Sequence, residues 1–228
     1  MKKRILSKNK IKSGYVNRQS TENPIVDWIV VKVASLLLKP LSLTNITPNM
    51  VTFFSFFLGI TASVLLALSI YPMLVVLLFF LSFVFDRVDG GLARIKGITS
   101  KIGDFSDSLF DRIIDAMLIF GICYNIGGMW MTGFILLFGV YMTFTMGVTI
   151  LSGNSKESMD NTKNLTNQSG FLRFLIIGRG TRIFALFFFL AINNLSLMIL
   201  LLAIIQNLYW LTASFVYFVK LRKKAIEK

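Results

Sequence analysis

The sequence contains no histidine and a single cysteine, Cys123. The first absence excludes histidine-based catalytic triads, histidine zinc sites and histidine haem ligation. The second excludes an intrachain disulfide and any thiolate metal cluster; Cys123 reads as a small apolar residue within a helix. Charge is scarce as well. Only 15% of the 228 residues are charged, while 55% are hydrophobic; a soluble domain carries about 25% charged residues. Acid–base and metal chemistry is therefore left to carboxylates, supported by Lys, Arg, Tyr, Ser or Thr. With a mean hydropathy of +0.71, the chain needs lipid as its solvent over much of its length.

Charge is absent from three long windows: Pro40 to Phe85, Ala116 to Ser155, and Ile183 to Val219. A bilayer crossing takes roughly 20 apolar residues, so each window suits two crossings and a tight turn. Tyr71-Pro72, Gly127-Gly128 and Asn193-Asn194 are the turn candidates. This predicts an all-α membrane protein of six transmembrane helices in three hairpins, near 49–70, 73–96, 103–125, 129–151, 174–192 and 196–219. The basic residues then fall on one side: nine up to Lys39, five between Arg87 and Arg112, five between Lys156 and Arg182, and five from Lys220 onward. The positive-inside rule makes that side cytoplasmic and puts both termini there. The net charge of +13 thus points to a membrane face, with no nucleic-acid partner.

Upstream, Ile25, Val26, Ile29, Val30, Val33, Leu36 and Leu37 recur at helical spacing, interrupted by Asp27, Lys32 and Lys39. This predicts an N-terminal amphipathic helix lying on the cytoplasmic leaflet. Met1 to Lys12 is basic and leads into a polar stretch, which reads as a solvated tail and not as a cleavable signal peptide. The expected organisation is a basic cytoplasmic tail (1–22), the interfacial helix (23–40), the six-helix transmembrane domain (41–220) and a second basic tail (221–228).

Six of the eleven acidic residues lie between Asp86 and Asp115, at the cytoplasmic ends of spans two and three. Carboxylates entering a bilayer are costly and need a partner; a divalent cation, which prefers hard oxygen ligands, is the natural one. Asp86 and Asp89 are three apart and share a helix face; Asp107 and Asp111 are four apart and share another. A hairpin over Gly97 to Lys101 can bring the two faces together, around one metal or two metals about 3.5–4 Å apart. Gly90, Gly91 and Ala93 let a ligand approach the helix closely. Arg94 offers a planar fork for phosphate oxygens. Together these supply what phosphoryl transfer requires, charge neutralisation and positioning.

The run Asp86-x-x-Asp89-Gly90-x-x-Ala93-Arg94, eight residues, then Gly103-x-x-x-Asp107-x-x-x-Asp111 resembles the signature of the CDP-alcohol phosphotransferase family at every fixed position and in both gaps. The resemblance implies that Asp86, Asp89, Asp107 and Asp111 hold two metal ions, Mg²⁺ or Mn²⁺, and that Asp111 is also the general base. It implies that Gly90, Ala93, Arg94, Ser100 and Gly103 form the CDP site. Thr47-Pro48-Asn49-Met50-Val51-Thr52 looks like a further family element, with Asn49 and Thr52 holding the nucleotide. The implied reaction transfers a substituted phosphoryl group from a CDP-activated donor, a CDP-lipid or a soluble CDP-polyol, to the hydroxyl of a small alcohol, releasing CMP. A homodimer in contact with membrane lipid is the family-level expectation.

For the acceptor, Arg173, Arg179 and Arg182 stand on the carboxylates' side of the membrane, either as an arginine cluster that binds a phosphorylated polyol such as inositol phosphate or glycerol phosphate, or as positive-inside anchors that touch lipid headgroups. Gly178-Arg179-x-x-Arg182-Ile183-Phe184 is similar to the corresponding stretch of archaeal members that use inositol phosphate. Asp104 and Asp115 extend the face of Asp107 and Asp111, as outer carboxylates or as solvated ones. The alternative function is a cation transporter or channel using the Asp cluster. It gives no reason for Gly90, Ala93 and Arg94 at their spacings.

Overall fold

The computed structural model describes residues 24–152 and 178–226. The basic N-terminal tail, nearly all of the polar stretch that follows Leu151, and Arg173 lie outside the described residues. Within them the chain is all helical: α1 (Pro24–Ser42), α2 (Pro48–Ala67), α3 (Pro72–Lys96), α4 (Lys101–Ile126), α5 (Trp130–Ser152), α6 (Arg179–Ala191) and α7 (Leu195–Ile226). Of these, Pro48–Ala67 and Leu195–Val219 are long and apolar enough to cross a membrane, with mean hydropathies of 2.1 and 1.8. In α5 the apolar stretch Trp130–Met146 is shorter, and α3 and α4 both carry charge in the halves that face each other across their connection.

The helix ends follow local chemistry. Thr47 caps α2, its side chain accepting from the Met50 N–H, with Pro48 in the first turn. Expected to reach residue 70, α2 stops at Ala67, because Ser69 and Tyr71 take positive φ values of 56° and 48° that a helix cannot hold. Gly97 ends α3 with φ 68°, and Gly127 ends α4 with φ 71°, the left-handed closure that glycine adopts at no steric cost. At its far end α7 runs on past residue 219 through Lys220, Arg222, Lys223 and Lys224 to Ile226. The apolar window ends at Val219, but lysine and arginine are good helix formers and do not stop a helix.

The site is positioned by a tight group of three helices, with α2 packed against both α3 and α4. Ser55 and Ser82 lock α2 to α3 by exchange: each hydroxyl donates to the other residue's backbone carbonyl at 2.8 Å. This satisfies two buried hydroxyls where no water reaches. The inner face of α1, with Val30, Ala34 and Leu38 fully buried, packs on α3. On the other side α5 pairs with α7, where Gln206 Nε2 donates to Thr143 Oγ1 at 2.8 Å and Asn207 Nδ2 to the Ile135 carbonyl at 2.9 Å. The short α6 lies between α3 and α7. Large apolar side chains remain exposed along the outside, among them Phe53, Phe57, Phe120, Phe134, Phe188 and Leu208.

Candidate functional site

Two helix ends meet at the Gly97 connection, and both carry aspartates on their facing sides. The last turns of α3 present Asp86 and Asp89; the first half of α4 presents Asp107 and Asp111. One carboxylate oxygen each from Asp86, Asp107 and Asp111 lie within 4.8 Å of one another. Three carboxylate oxygens on that scale suit a divalent cation that prefers hard oxygen donors. Asp89 is buried beside this trio, within reach of the charges of Asp86 and Asp107. Its Oδ2 accepts from the Thr52 hydroxyl at 2.6 Å, and its Oδ1 accepts from the Gly90 N–H.

So much negative charge in a half-buried place needs compensation. Within the described residues Arg179, at the start of α6, provides it. One guanidinium tip, Nη1, lies 3.3 Å from Asp86 Oδ1, and the other pairs with Asp111. Sequence spacing gave no sign of this bridge, since Arg179 is 93 residues from Asp86.

The residues expected to bind the nucleotide lie around the same connection. Asn49 sits exposed in the first turn of α2, with Thr52 one turn further on. Ser100 caps α4, accepting from the Gly103 N–H at 3.0 Å. A Cβ placed on Gly103 would stand 3.1 Å from Ser100 Oγ and 3.8 Å from Asn49 Oδ1, so these three residues share one spot between the starts of α2 and α4. Gly90 and Ala93 are half-buried on α3, and Arg94 is exposed in its last turn. Lys96 fastens the connection ahead of α2, its Nζ donating to the Thr44 and Ile46 carbonyls at 2.8 and 2.6 Å.

Thr52 was expected to touch nucleotide; the structure gives its hydroxyl a partner on Asp89. Hydrogen bonds to a charged group contribute about 1.5–3 kcal/mol. Thr52→Val, which keeps the shape and removes the donor, is therefore expected to lower kcat/KM by about 10- to 100-fold. Thr52→Ser should stay near wild type. Equal losses in both variants would show that the methyl, not the hydroxyl, matters.

The third feature is a buried ion-pair network behind the trio. Asp115, one turn beyond Asp111 and only 1% exposed, faces Arg182 Nη2 at 2.5 Å and Arg112 Nη1 at 3.6 Å. The Arg112 guanidinium also lies over the Phe144 ring of α5, 4.5 Å from its centroid. Arg179 and Arg182 are thus buried residues of the site and not surface anchors, while Asp104 stays exposed. One sequence signal pointed here: a carboxylate as deep as Asp115 needs a cation.

Comparison with known proteins gives a consistent picture. The family model described as CDP-alcohol phosphatidyltransferase matches residues 45–217. The archaetidylinositol phosphate synthase of Pyrococcus horikoshii is 32% identical over 191 residues, which is 83% of this chain and 90% of that protein. A bifunctional IPC transferase and DIPP synthase of Thermococcus kodakarensis is 32% identical over 125 residues, and one of Aquifex aeolicus is 25% identical over 179. These matches span only 26% and 39% of the two bifunctional proteins.

Proposed function

Because the chain belongs to the CDP-alcohol phosphatidyltransferase family, we propose that it transfers a lipid phosphoryl group from a CDP-activated lipid to a hydroxyl of inositol phosphate, releasing CMP. The reaction class is that of the family: a substituted phosphoryl group moves from a CDP-alcohol to an alcohol. The choice of acceptor is supported by the similarity to a synthase of archaetidylinositol phosphate along 90% of that protein. The observation that carries the reading is the convergence of Asp86, Asp107 and Asp111 with Arg179 laid across them.

The family depends on divalent metal; here Asp86, Asp89, Asp107 and Asp111 would hold two ions, Mg²⁺ or Mn²⁺. When bound, they supply charge neutralisation for the donor diphosphate. Asn49, Thr52, Gly90, Ala93, Arg94, Ser100 and Gly103 hold the CDP moiety, and the small residues allow its phosphates close to the α3 backbone. Arg179 and Arg182 receive the acceptor's phosphate. Arg179 also touches Asp111, so an acceptor held there brings its hydroxyl beside the base. Asp111 takes the hydroxyl proton, the alkoxide oxygen bonds to the β-phosphorus, and the bond from that phosphorus to the bridging oxygen breaks. Its electrons leave with CMP.

In this reading α2 to α7 make six membrane crossings, with the site and both termini on the cytoplasmic side. The large apolar side chains exposed around the helices support it, since water does not tolerate so much apolar surface. The α1 helix lies on the cytoplasmic leaflet, where its outward Trp28, Lys32 and Lys39 meet lipid headgroups. Two copies associate as a homodimer.

The test uses purified protein in micelles with labelled CDP-lipid and each acceptor in turn. CMP release with inositol phosphate is expected, requiring Mg²⁺ or Mn²⁺ and ending on addition of chelator. Faster release with glycerol phosphate, serine or free inositol would reassign the acceptor. No metal-dependent release with any of them would remove the enzyme reading.

A further inference from the structure

The proposed chemistry leaves one deeply buried carboxylate unused. Asp115 faces three arginines from two helices: Arg182 at 2.5 Å, Arg112 at 3.6 Å, and the Nε of Arg179 at 3.9 Å. The backbones of α4 and α6 hardly approach one another, so long arginine side chains span the space between them. Where the α6 arginines stand relative to Asp111 is therefore set by ion pairs more than by helix packing.

The geometry of Arg179 makes this specific. A guanidinium is a rigid planar fork with an Nε edge and two Nη tips. The Nε edge of Arg179 turns toward Asp115, while its tips reach Asp86 and Asp111. The approach of Nε to Asp115, at 3.9 Å, is electrostatic and biases where the fork sits. Arg182, three residues along the same helix, carries a like charge, and Asp115 lies against both. Without that carboxylate, Arg179 and Arg182 repel, and Arg179 keeps only the aspartates of the trio.

We propose that Asp115 is a positioning residue for the acceptor: it holds the Arg179 and Arg182 guanidiniums together beside Asp111 so that they meet one phosphate in one orientation. This rests on the acceptor-binding reading of the two arginines. In this reading the tips of Arg179, which lie beside Asp86 and Asp111, are the atoms that meet the acceptor's phosphate. Asp115, hydrogen-bonded to Arg182 and 3.9 Å from the Nε of Arg179, keeps the two like charges side by side next to the base.

The experiment measures KM separately for inositol phosphate and for CDP-lipid in wild type, Asp115→Asn, Asp115→Glu and Arg179→Gln. Thermal unfolding checks each fold, and calorimetry follows inositol phosphate binding without donor. Asp115→Asn is expected to raise both KM and Kd for inositol phosphate by about 10- to 100-fold, the effect of losing a charged hydrogen bond. The KM for CDP-lipid should change less than about twofold. Asp115→Glu, which keeps the charge but moves it, should fall between wild type and the Asn variant. If Asp115→Asn does not fold, a selective rise in acceptor KM in Asp115→Glu decides the matter. Asp115 variants that change both KM values together, or neither, reduce Asp115 to a structural ion pair and overturn the proposal. If Arg179→Gln leaves the acceptor KM unchanged, the acceptor reading itself falls, and this inference with it. If Arg179→Gln raises it and the Asp115 variants do not, the positioning role alone is refuted.

Discussion

Asp111→Asn should lower kcat by at least about 10³-fold while leaving the protein folded. A general base contributes typically 10²–10⁴ to the rate, and the same residue is assigned to the metal set, so two contributions are lost together. The substitution is isosteric. Arg179 keeps Asp86 and Asp115 as partners, so no buried cation is left stranded and the unfolding midpoint should stay close to wild type. Asp107→Asn removes a ligand without removing the base. It should also stop transfer at ordinary metal concentrations, yet recover part of its activity as Mn²⁺ is raised, whereas Asp111→Asn should not. The measurement is CMP release against metal concentration for the two variants. Transfer within about tenfold of wild type in folded Asp111→Asn would remove that residue from the role of base.

Convergence of the aspartates was legible in the sequence because it depends on short-range geometry. Spacings of three and four residues fix which side chains share a helix face, and a connection as short as Gly97 to Ser100 forces α3 and α4 to run as neighbours. The three turns were legible for the same kind of reason: Tyr71, Gly127 and Asn193 all adopt positive φ between consecutive helices. Contacts between residues far apart in sequence were not legible. Nothing near Thr52 announces that its hydroxyl meets Asp89, 37 residues away, and nothing near Ser55 announces Ser82. Both are ordinary polar residues on apolar helices, and only the rotation of one helix against another decides whether they face inward. The arginines show the same limit. Charge counting grouped Arg179 and Arg182 with the carboxylates, but a charge count cannot tell a headgroup anchor from a buried counterion. Depth could have helped. Asp115 lies within an apolar run with Arg112 as its only charged neighbour within a turn beside Asp111, and that imbalance called for cations from elsewhere.

The trio also depends on how closely α2 and α4 approach, and this yields the second large prediction. Gly121 lies on α4 where a Cβ would stand 2.8 Å from the Ser63 carbonyl oxygen and 3.7 Å from the Ala67 nitrogen, both backbone atoms of α2. Small residues at such a crossing let two helix backbones come together. Gly121→Ala cannot be absorbed by a side chain turning away, because the obstacle is main chain; the helices must separate. Overpacking of this kind costs about 1–3 kcal/mol, and Gly121→Val should cost more. Gly59 offers the contrast within the same crossing: its added Cβ would meet the Ile114 side chain, 2.8 Å from Cδ1, which can change rotamer. Gly128, with nothing within 4 Å of an added Cβ, serves as the neutral control. Thermal unfolding in micelles should rank the variants Gly121→Val, Gly121→Ala, Gly59→Ala and Gly128→Ala, from least stable to most. Because α4 carries Asp107 and Asp111, separation from α2 shifts them relative to Asp86 on α3. Activity in the Gly121 variants should therefore fall further than the loss of folded protein explains, and more metal should be needed to restore it. An unchanged midpoint in Gly121→Ala would mean that α2 and α4 do not touch through their backbones, and the spacing of the trio would then have to be held by the α3–α4 connection alone.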